Sequence, residues 1–129
     1  KLRHLDTWTN KRRENAAYYC AQFEKNGLTR FITLPTVRAG NFHIYNQFVI
    51  RCARRDELQV FLTRAGIGNE IHYPIPLHLQ ECYRDLGHKK GDFPESEKAA
   101  RETLALPIYP ELTAEQKDYV VAKLEEFYS

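Results

Sequence analysis

Methionine is absent from all 129 residues, and the chain opens Lys1-Leu2-Arg3-His4, so the sequence reads as a piece of a longer polypeptide. No secretory signal is visible in it. Long apolar runs are missing too: none exceeds a few residues, whereas a membrane-spanning helix needs roughly 20. Cysteine is sparse. Cys20, Cys52 and Cys82 stand about thirty residues apart with no close pair, which argues against a disulfide framework or a zinc ribbon and fits a reducing cytoplasm. Charge of one sign is lacking, since 19 basic and 17 acidic residues leave only +2, too little to announce a polyanionic partner. A phosphate-cradling glycine loop is also missing. Gly66-Ile67-Gly68 follows a helical pattern and enters a strand, the wrong order for a dinucleotide or P-loop site, so these glycines serve helix termination and a tight turn.

What is present describes one soluble globular unit. Hydrophobic residues make up 43% and charged residues 28%, which removes disordered, collagen-like and coiled-coil classes. The charge is unevenly spread. Seven basic and three acidic groups in residues 1–30, five and two in 31–68 and seven and twelve in 69–129 leave +4, +3 and −5. A basic first half favours an anionic ligand, although solvated helix faces explain it as well.

Leu2, Leu5, Trp8, Arg12, Ala16, Tyr19 and Phe23 recur at steps of three and four, predicting one long helix over residues 1–26, ended by Asn26-Gly27. Its first apolar residues have no partners nearby in sequence and are expected to pack on chain outside this sequence. Phe42, Ile44, Phe48, Ile50 and Cys52 alternate with polar neighbours, predicting a strand with one buried face. Asp56 with Gln59 resembles a capping box opening a helix with Leu58, Phe61, Leu62 and Ala65 inward, stopped by Gly66. Residues 67–73 read as a second strand broken by Pro74 and Pro76, and residues 78–86 as a short helix. Asp92, Pro94 and Glu95 signal a helix to about Glu102, residues 103–108 a short apolar strand, and Thr113 with Gln116 a capping box for a last helix with Val120, Val121, Leu124 and Phe127 inward. The fold class is therefore α/β or α+β: a small, mostly antiparallel sheet backed by helices.

Chemistry is harder to read from local pattern. His72, His78 and Cys82 form a His-x5-His-x3-Cys string, but the spacing matches no standard metal site, and two polar histidines near a turn with a buried thiol account for it. A Cys–His nucleophilic pair has no local support. The most unusual stretch is HYPIPLHLQ, His72 to Gln80. Two prolines hold its backbone extended and present His72, Tyr73 and His78 on a stiff loop, which suits recognition of a polar ligand; a strand-to-helix connection with packed aromatics is the plainer reading.

At this loop the sequence resembles the DegT/DnrJ/StrS family of sugar aminotransferases, which use pyridoxal phosphate. The matching blocks are Trp8 to Tyr19 with Arg12-Arg13 and Ala16-Ala17-Tyr18, HIYNQFVIR at His43 to Arg51, RRDELQVFLTRAGIG at Arg54 to Gly68, HYPIPLHLQ, GDFPESE at Gly91 to Glu97, and LALPIYPELT at Leu104 to Thr113. They come in the family's order and cover nearly the whole chain. The resemblance implies that residues 1–129 form the carboxy-terminal small domain of a fold-type-I aminotransferase, with 1–26 as the helix leaving a missing amino-terminal domain that holds the cofactor.

It also implies what is elsewhere. The family's Schiff-base lysine lies in a motif close to Ser-Phe-x-x-x-Lys, and none of Lys1, Lys11, Lys25, Lys89, Lys90, Lys98, Lys117 and Lys123 has that setting. No catalytic residue, bound cofactor or metal is therefore expected in this chain, which alone should not transaminate. In the intact enzyme, implied to be a homodimer, glutamate would aminate a keto-deoxysugar linked to thymidine or uridine diphosphate. The small domain would help close the sugar-nucleotide cleft, with His72 and Tyr73 lining it, His43, Tyr45 and His78 behind them, and Arg51 a weaker candidate for anion contact. Arg12 and Arg13 suit interdomain or dimer contacts equally. Two other readings stay open: a stand-alone sugar-nucleotide binding or regulatory module without catalysis, and, ranked last, nucleic-acid binding through Lys11, Arg12, Arg13 and Tyr18. Neither a nucleic acid nor a membrane is an expected partner.

Overall fold

The computed structural model describes residues 1–129. Helix α1 spans Leu5–Lys25 after a 3-10 turn at Leu2–His4, and Gly27, at φ 67°, takes the left-handed conformation that ends it. Ala16, Tyr19 and Phe23 of its apolar stripe are buried, whereas Leu2, 86% exposed, and Leu5 project from the far end with no cover. Three antiparallel strands lie side by side in the order β1 (Ile32–Thr33), β2 (Phe48–Cys52), β3 (Thr103–Leu106), with Ile32 opposite Cys52, Phe48 opposite Leu106 and Ile50 opposite Leu104. Helices α2 (Arg55–Arg64), α3 (Pro94–Glu102) and α4 (Ala114–Tyr128) complete the fold, with 3-10 turns at Leu77–Leu79 and Glu81–Leu86 between α2 and α3. One cluster joins Tyr19 and Phe23 of α1, Phe48 and Ile50 of β2, Leu58 and Leu62 of α2, Leu104 of β3 and Leu124 of α4. No helix is long and apolar enough to cross a membrane.

The helices follow the sequence pattern and the strands fall short of it. At α4 the box forms as read: the Gln116 N–H donates to Thr113 Oγ1 at 3.2 Å, and the Thr113 N–H to Gln116 Oε1 at 2.9 Å. At α2 it does not. The helix starts one residue before Asp56, capped by left-handed Arg54 (φ 56°), so Asp56 lies inside the first turn and accepts from Arg55 Nε at 2.6 Å instead of capping. Likewise Phe93, not Asp92, precedes α3, and Asp92 accepts the Lys89 N–H at 3.0 Å in the loop before it.

The β2–β3 ladder stops at the Phe48–Leu106 pair, short of the Asn46–Gln47 turn and left-handed Tyr45 (φ 48°), and Phe42 and Ile44 are left exposed. The expected strand over 67–73 is reduced to a single bridge, in which the Ala105 N–H donates to the Glu70 carbonyl at 2.8 Å and the Glu70 N–H to the Ala105 carbonyl at 3.3 Å. Toward Gly68 the next hydrogen-bonded pair would need Pro107 as donor, and it has no N–H to give. Residues 78–86 form 3-10 turns, not an α-helix, and no hydrophobic residue between Ile67 and Glu97 is buried.

All three cysteines are free. Burial pushes the Cys52 thiol up to about 11, with Sγ 3.6 Å from the Glu102 carbonyl, and raises half-buried Cys20, whereas Cys82 is exposed. Since the thiolate is the nucleophile, iodoacetamide at neutral pH should modify Cys82 first and Cys52 last. Mass mapping of a time course checks this, and Cys52 reacting as fast as Cys82 would contradict the burial described.

Candidate functional site

The principal concavity is a cleft of about 540 Å³ between the Gly66–His72 segment, the chain from Ala105 to Leu112 and the first half of α4. Its floor is apolar, made of Ile67, Leu106, Ile108, Leu112 and Val120, because those side chains also close the core. Its rim is polar: Arg12 from α1, Asn46 and Gln47 from the turn before β2, and Glu70 and His72.

Helix α1 is stitched to this rim. Arg12 Nε donates to the Ile108 carbonyl at 3.2 Å, and buried Asn15 donates through Nδ2 to the Tyr109 carbonyl at 2.9 Å while accepting from Lys117 Nζ at 3.0 Å. Asn15 escaped the sequence reading; its signal was an amide beside Ala16 on the buried face, where a polar group needs partners. Arg12 spends only Nε on the protein, so its two terminal nitrogens remain donors at the cleft edge.

The sequence candidates are not gathered in one place. His72 is exposed, without an intramolecular hydrogen bond, and is the one residue bordering both this cleft and a second hollow of about 200 Å³ between Tyr73–Leu77 and α3. Tyr73, 69% exposed, lines only the second hollow, its ring edge-on to His72 at 5.9 Å across a cis peptide. His43 and Tyr45 form their own pair: His43 Nδ1 accepts the Tyr45 N–H at 2.9 Å, and left-handed Tyr45 (φ 48°) leans on Phe48. Arg13 stacks on Phe42 at 4.1 Å on the same side. Arg51 lies on β2, where NH2 meets Glu102 at 3.2 Å, an ion pair that occupies its charge within the sheet.

His78 is turned inward. Its side chain is 7% exposed, with Nε2 3.1 Å from Oε1 of the equally covered Glu97 and its ring 4.8 Å from Phe93. The same Glu97 oxygen accepts the Gly91 N–H at 2.6 Å. This pair ties the 72–96 segment, which adds no side chain to the core cluster, to α3. The Gly91 N–H holds the Glu97 carboxyl below its ordinary pKa, with His78 adding to the effect against the opposing pull of burial. A carboxyl lowered on folding adds stability above its unfolded pKa and loses it as pH falls through the folded value. Glu97→Gln should therefore flatten the acid limb of the stability–pH curve below about pH 4, measured by urea melts across that range; an unchanged limb would contradict the latch.

No group of three His, Cys, Asp or Glu side chains could hold a metal ion, and Cys82 Sγ lies beside Gln80 at 3.9 Å. A pyridoxal phosphate site needs a lysine, an acid for the ring nitrogen and a phosphate cradle. The lysines here do not fit: none borders either hollow, Lys117 is bonded to Asn15, and Lys123 is paired with Glu126 at 2.6 Å.

A model of the DegT/DnrJ/EryC1/StrS aminotransferase family matches residues 1–125. The chain is 47% identical over 128 residues to a pleiotropic regulatory protein of Geobacillus stearothermophilus, covering 99% of this chain and 34% of that protein. To the dTDP-3-amino-3,6-dideoxy-alpha-D-galactopyranose transaminase of Aneurinibacillus thermoaerophilus it is 36% identical over 127 residues, covering 98% and 33%. The solved structure of Streptomyces venezuelae DesV with a ketimine intermediate superposes with a TM-score of 0.91 at 34% identity, over 98% of this chain and 33% of that one. The chain thus spans about a third of the length of the proteins it matches.

Proposed function

Because the chain belongs to the DegT/DnrJ/EryC1/StrS aminotransferase family, we infer that it serves as the terminal small domain of a sugar aminotransferase acting on a nucleotide-linked keto-deoxysugar. Pyridoxal phosphate, which the family binds, would be held by polypeptide outside this sequence and would supply the amino-transfer chemistry. The residues present do the remaining work: they wall the substrate cleft, with glutamate as the amino donor of the whole enzyme and a second copy completing a homodimer. Helix α1 connects the two parts, and the uncovered Leu2 and Leu5 pack on the missing one.

The observation that carries this reading is His72. It stands exposed and unbonded on the ridge between the two hollows, held there by the prolines that follow it and by the His78–Glu97 latch. An imidazole so placed can donate or accept toward a substrate hydroxyl or phosphate. Tyr73 shares the ridge, and His43 and Tyr45 flank the Asn46–Gln47 rim. His78 acts from behind by fixing the loop, and Arg51 remains the weaker candidate for anion contact because Glu102 engages it. Sequencing the reading frame upstream of Lys1 tests the assignment: a Ser-Phe-x-x-x-Lys motif in frame is expected, and a closed frame would contradict it.

The regulatory name of the Geobacillus relative favours a second reading, a sugar-nucleotide receptor without catalysis. Calorimetric titration of this chain with a thymidine diphosphate sugar separates the two, since half a cleft binds poorly and a receptor saturates at micromolar concentration.

A further inference from the structure

We propose that the cleft of about 540 Å³ takes the hexose ring of the nucleotide-linked sugar and leaves the diphosphate outside it, with Gln47, Asn46, Glu70 and Arg12 selecting the ring. This rests on the sugar-nucleotide reading above and adds where the sugar sits and which side chains read it.

Charge decides between ring and diphosphate. The ionised groups on the rim are Arg12 and Glu70, one of each sign, so the cleft is close to neutral. A diphosphate brings about two negative charges and three or more acceptor oxygens per phosphate pair; one guanidinium already bonded through Nε cannot balance it, and the Glu70 carboxylate repels it. Sugar hydroxyls make the opposite demand, because each donates and accepts. The Asn46 and Gln47 amides each offer a carbonyl acceptor and two N–H donors, and neither amide is bonded within the protein. Glu70 accepts hydrogen bonds from hydroxyls; only its Oε1 is engaged, by the Ile71 N–H at 3.1 Å. Arg12 supplies donors from two terminal nitrogens already oriented by the Ile108 carbonyl. Beneath them Ile67, Leu106 and Ile108 meet the C–H face of a ring, and the volume lies in the range of small-molecule sites, about 300–1,000 Å³. The fixed turn at Tyr45 and the Phe48 anchor pre-set the two amides, so little ordering is needed on binding.

The test is an NMR titration of the isotope-labelled 129-residue chain with dTDP-glucose and, in parallel, with dTDP. Side-chain amide signals of Asn46 and Gln47 and the Arg12 Nε–H signal should move with dTDP-glucose and stay in place with dTDP. Gln47→Ala, an exposed position, should weaken dTDP-glucose about fivefold, the loss of one neutral hydrogen bond. Equal movement with dTDP would overturn the proposal by placing the diphosphate in the cleft, and movement confined to His43, Tyr73 or other residues would overturn it by placing the sugar elsewhere; both leave the sugar-nucleotide reading standing. No movement with either ligand would overturn the proposal by marking the cleft as a packing surface for the remaining polypeptide, and the sugar-nucleotide reading of the whole enzyme then stands or falls on the upstream reading frame.

Discussion

Phe48→Ala should cost about 3–5 kcal/mol of folding stability, the range for deleting a fully buried aromatic ring. The side chain is fully buried, with the Tyr19 ring of α1 at 5.3 Å and the Tyr45 ring at 6.2 Å, and its backbone forms the last pair of the β2–β3 ladder opposite Leu106. The ring therefore joins strand, helix and the turn carrying Asn46 and Gln47. Domains of this size are stable by about 5–15 kcal/mol, so the variant loses a large share of that margin. Urea unfolding of both proteins measures it. A shift below about 1 kcal/mol would mean that the core is not centred where these contacts put it.

Arg55→Ala should cost about 2–4 kcal/mol although it removes a residue from the exposed-looking run Arg54-Arg55-Asp56. Arg55 is buried and donates from NH2 to the Ala100 carbonyl at 2.9 Å, from NH1 to the Thr103 carbonyl at 2.8 Å and from Nε to Asp56 at 2.6 Å. Those carbonyls close the C-terminal end of α3, where unsatisfied oxygens concentrate the negative end of the helix dipole. Truncation leaves them buried without donors. Lysine should restore little, since one ammonium cannot reach three acceptors arranged for a planar fork. Neighbouring Arg54, whose ion pair with Glu57 is exposed, serves as the control, and its alanine variant should unfold at nearly the same urea concentration as the parent. Similar losses for the two variants would contradict the contrast.

The two arginines show where reading by residue pattern stops. Periodicity located α1, α2 and α4 because a helix's apolar stripe is a local property, and Gly27, Gly66 and the Thr113–Gln116 box marked ends that need no distant partner. Strand length is not local. Residues 67–73 read as a strand, yet pairing ends at Glu70 on its Gly68 side, where Pro107, some forty residues later, has no N–H to offer. Strand β1, two residues long, is too short to show any alternation. The site divides in the same way. The paired prolines flagged the loop that presents His72 and Tyr73, and the structure sets His72 at the cleft. Glu97, by contrast, reads as a helix-start acid, and only folding puts it against His78 and Gly91. Gln47 reads as the polar side of a strand, and nothing in the pattern singles out Asn46. Arg12 belongs to the stripe of α1 and reaches the cleft because Ile108 folds back over it.

The central claim, that this chain shapes a sugar site while the electron-withdrawing cofactor is anchored elsewhere, meets its most direct test in one titration. Pyridoxal phosphate is added to the folded 129-residue chain while the absorbance of lysine-linked cofactor is followed, with borohydride reduction and peptide mapping to locate any attachment. The account predicts only weak, non-saturating signal scattered over exposed lysines. A saturable band at one cofactor per chain, traced to a single lysine, would contradict it.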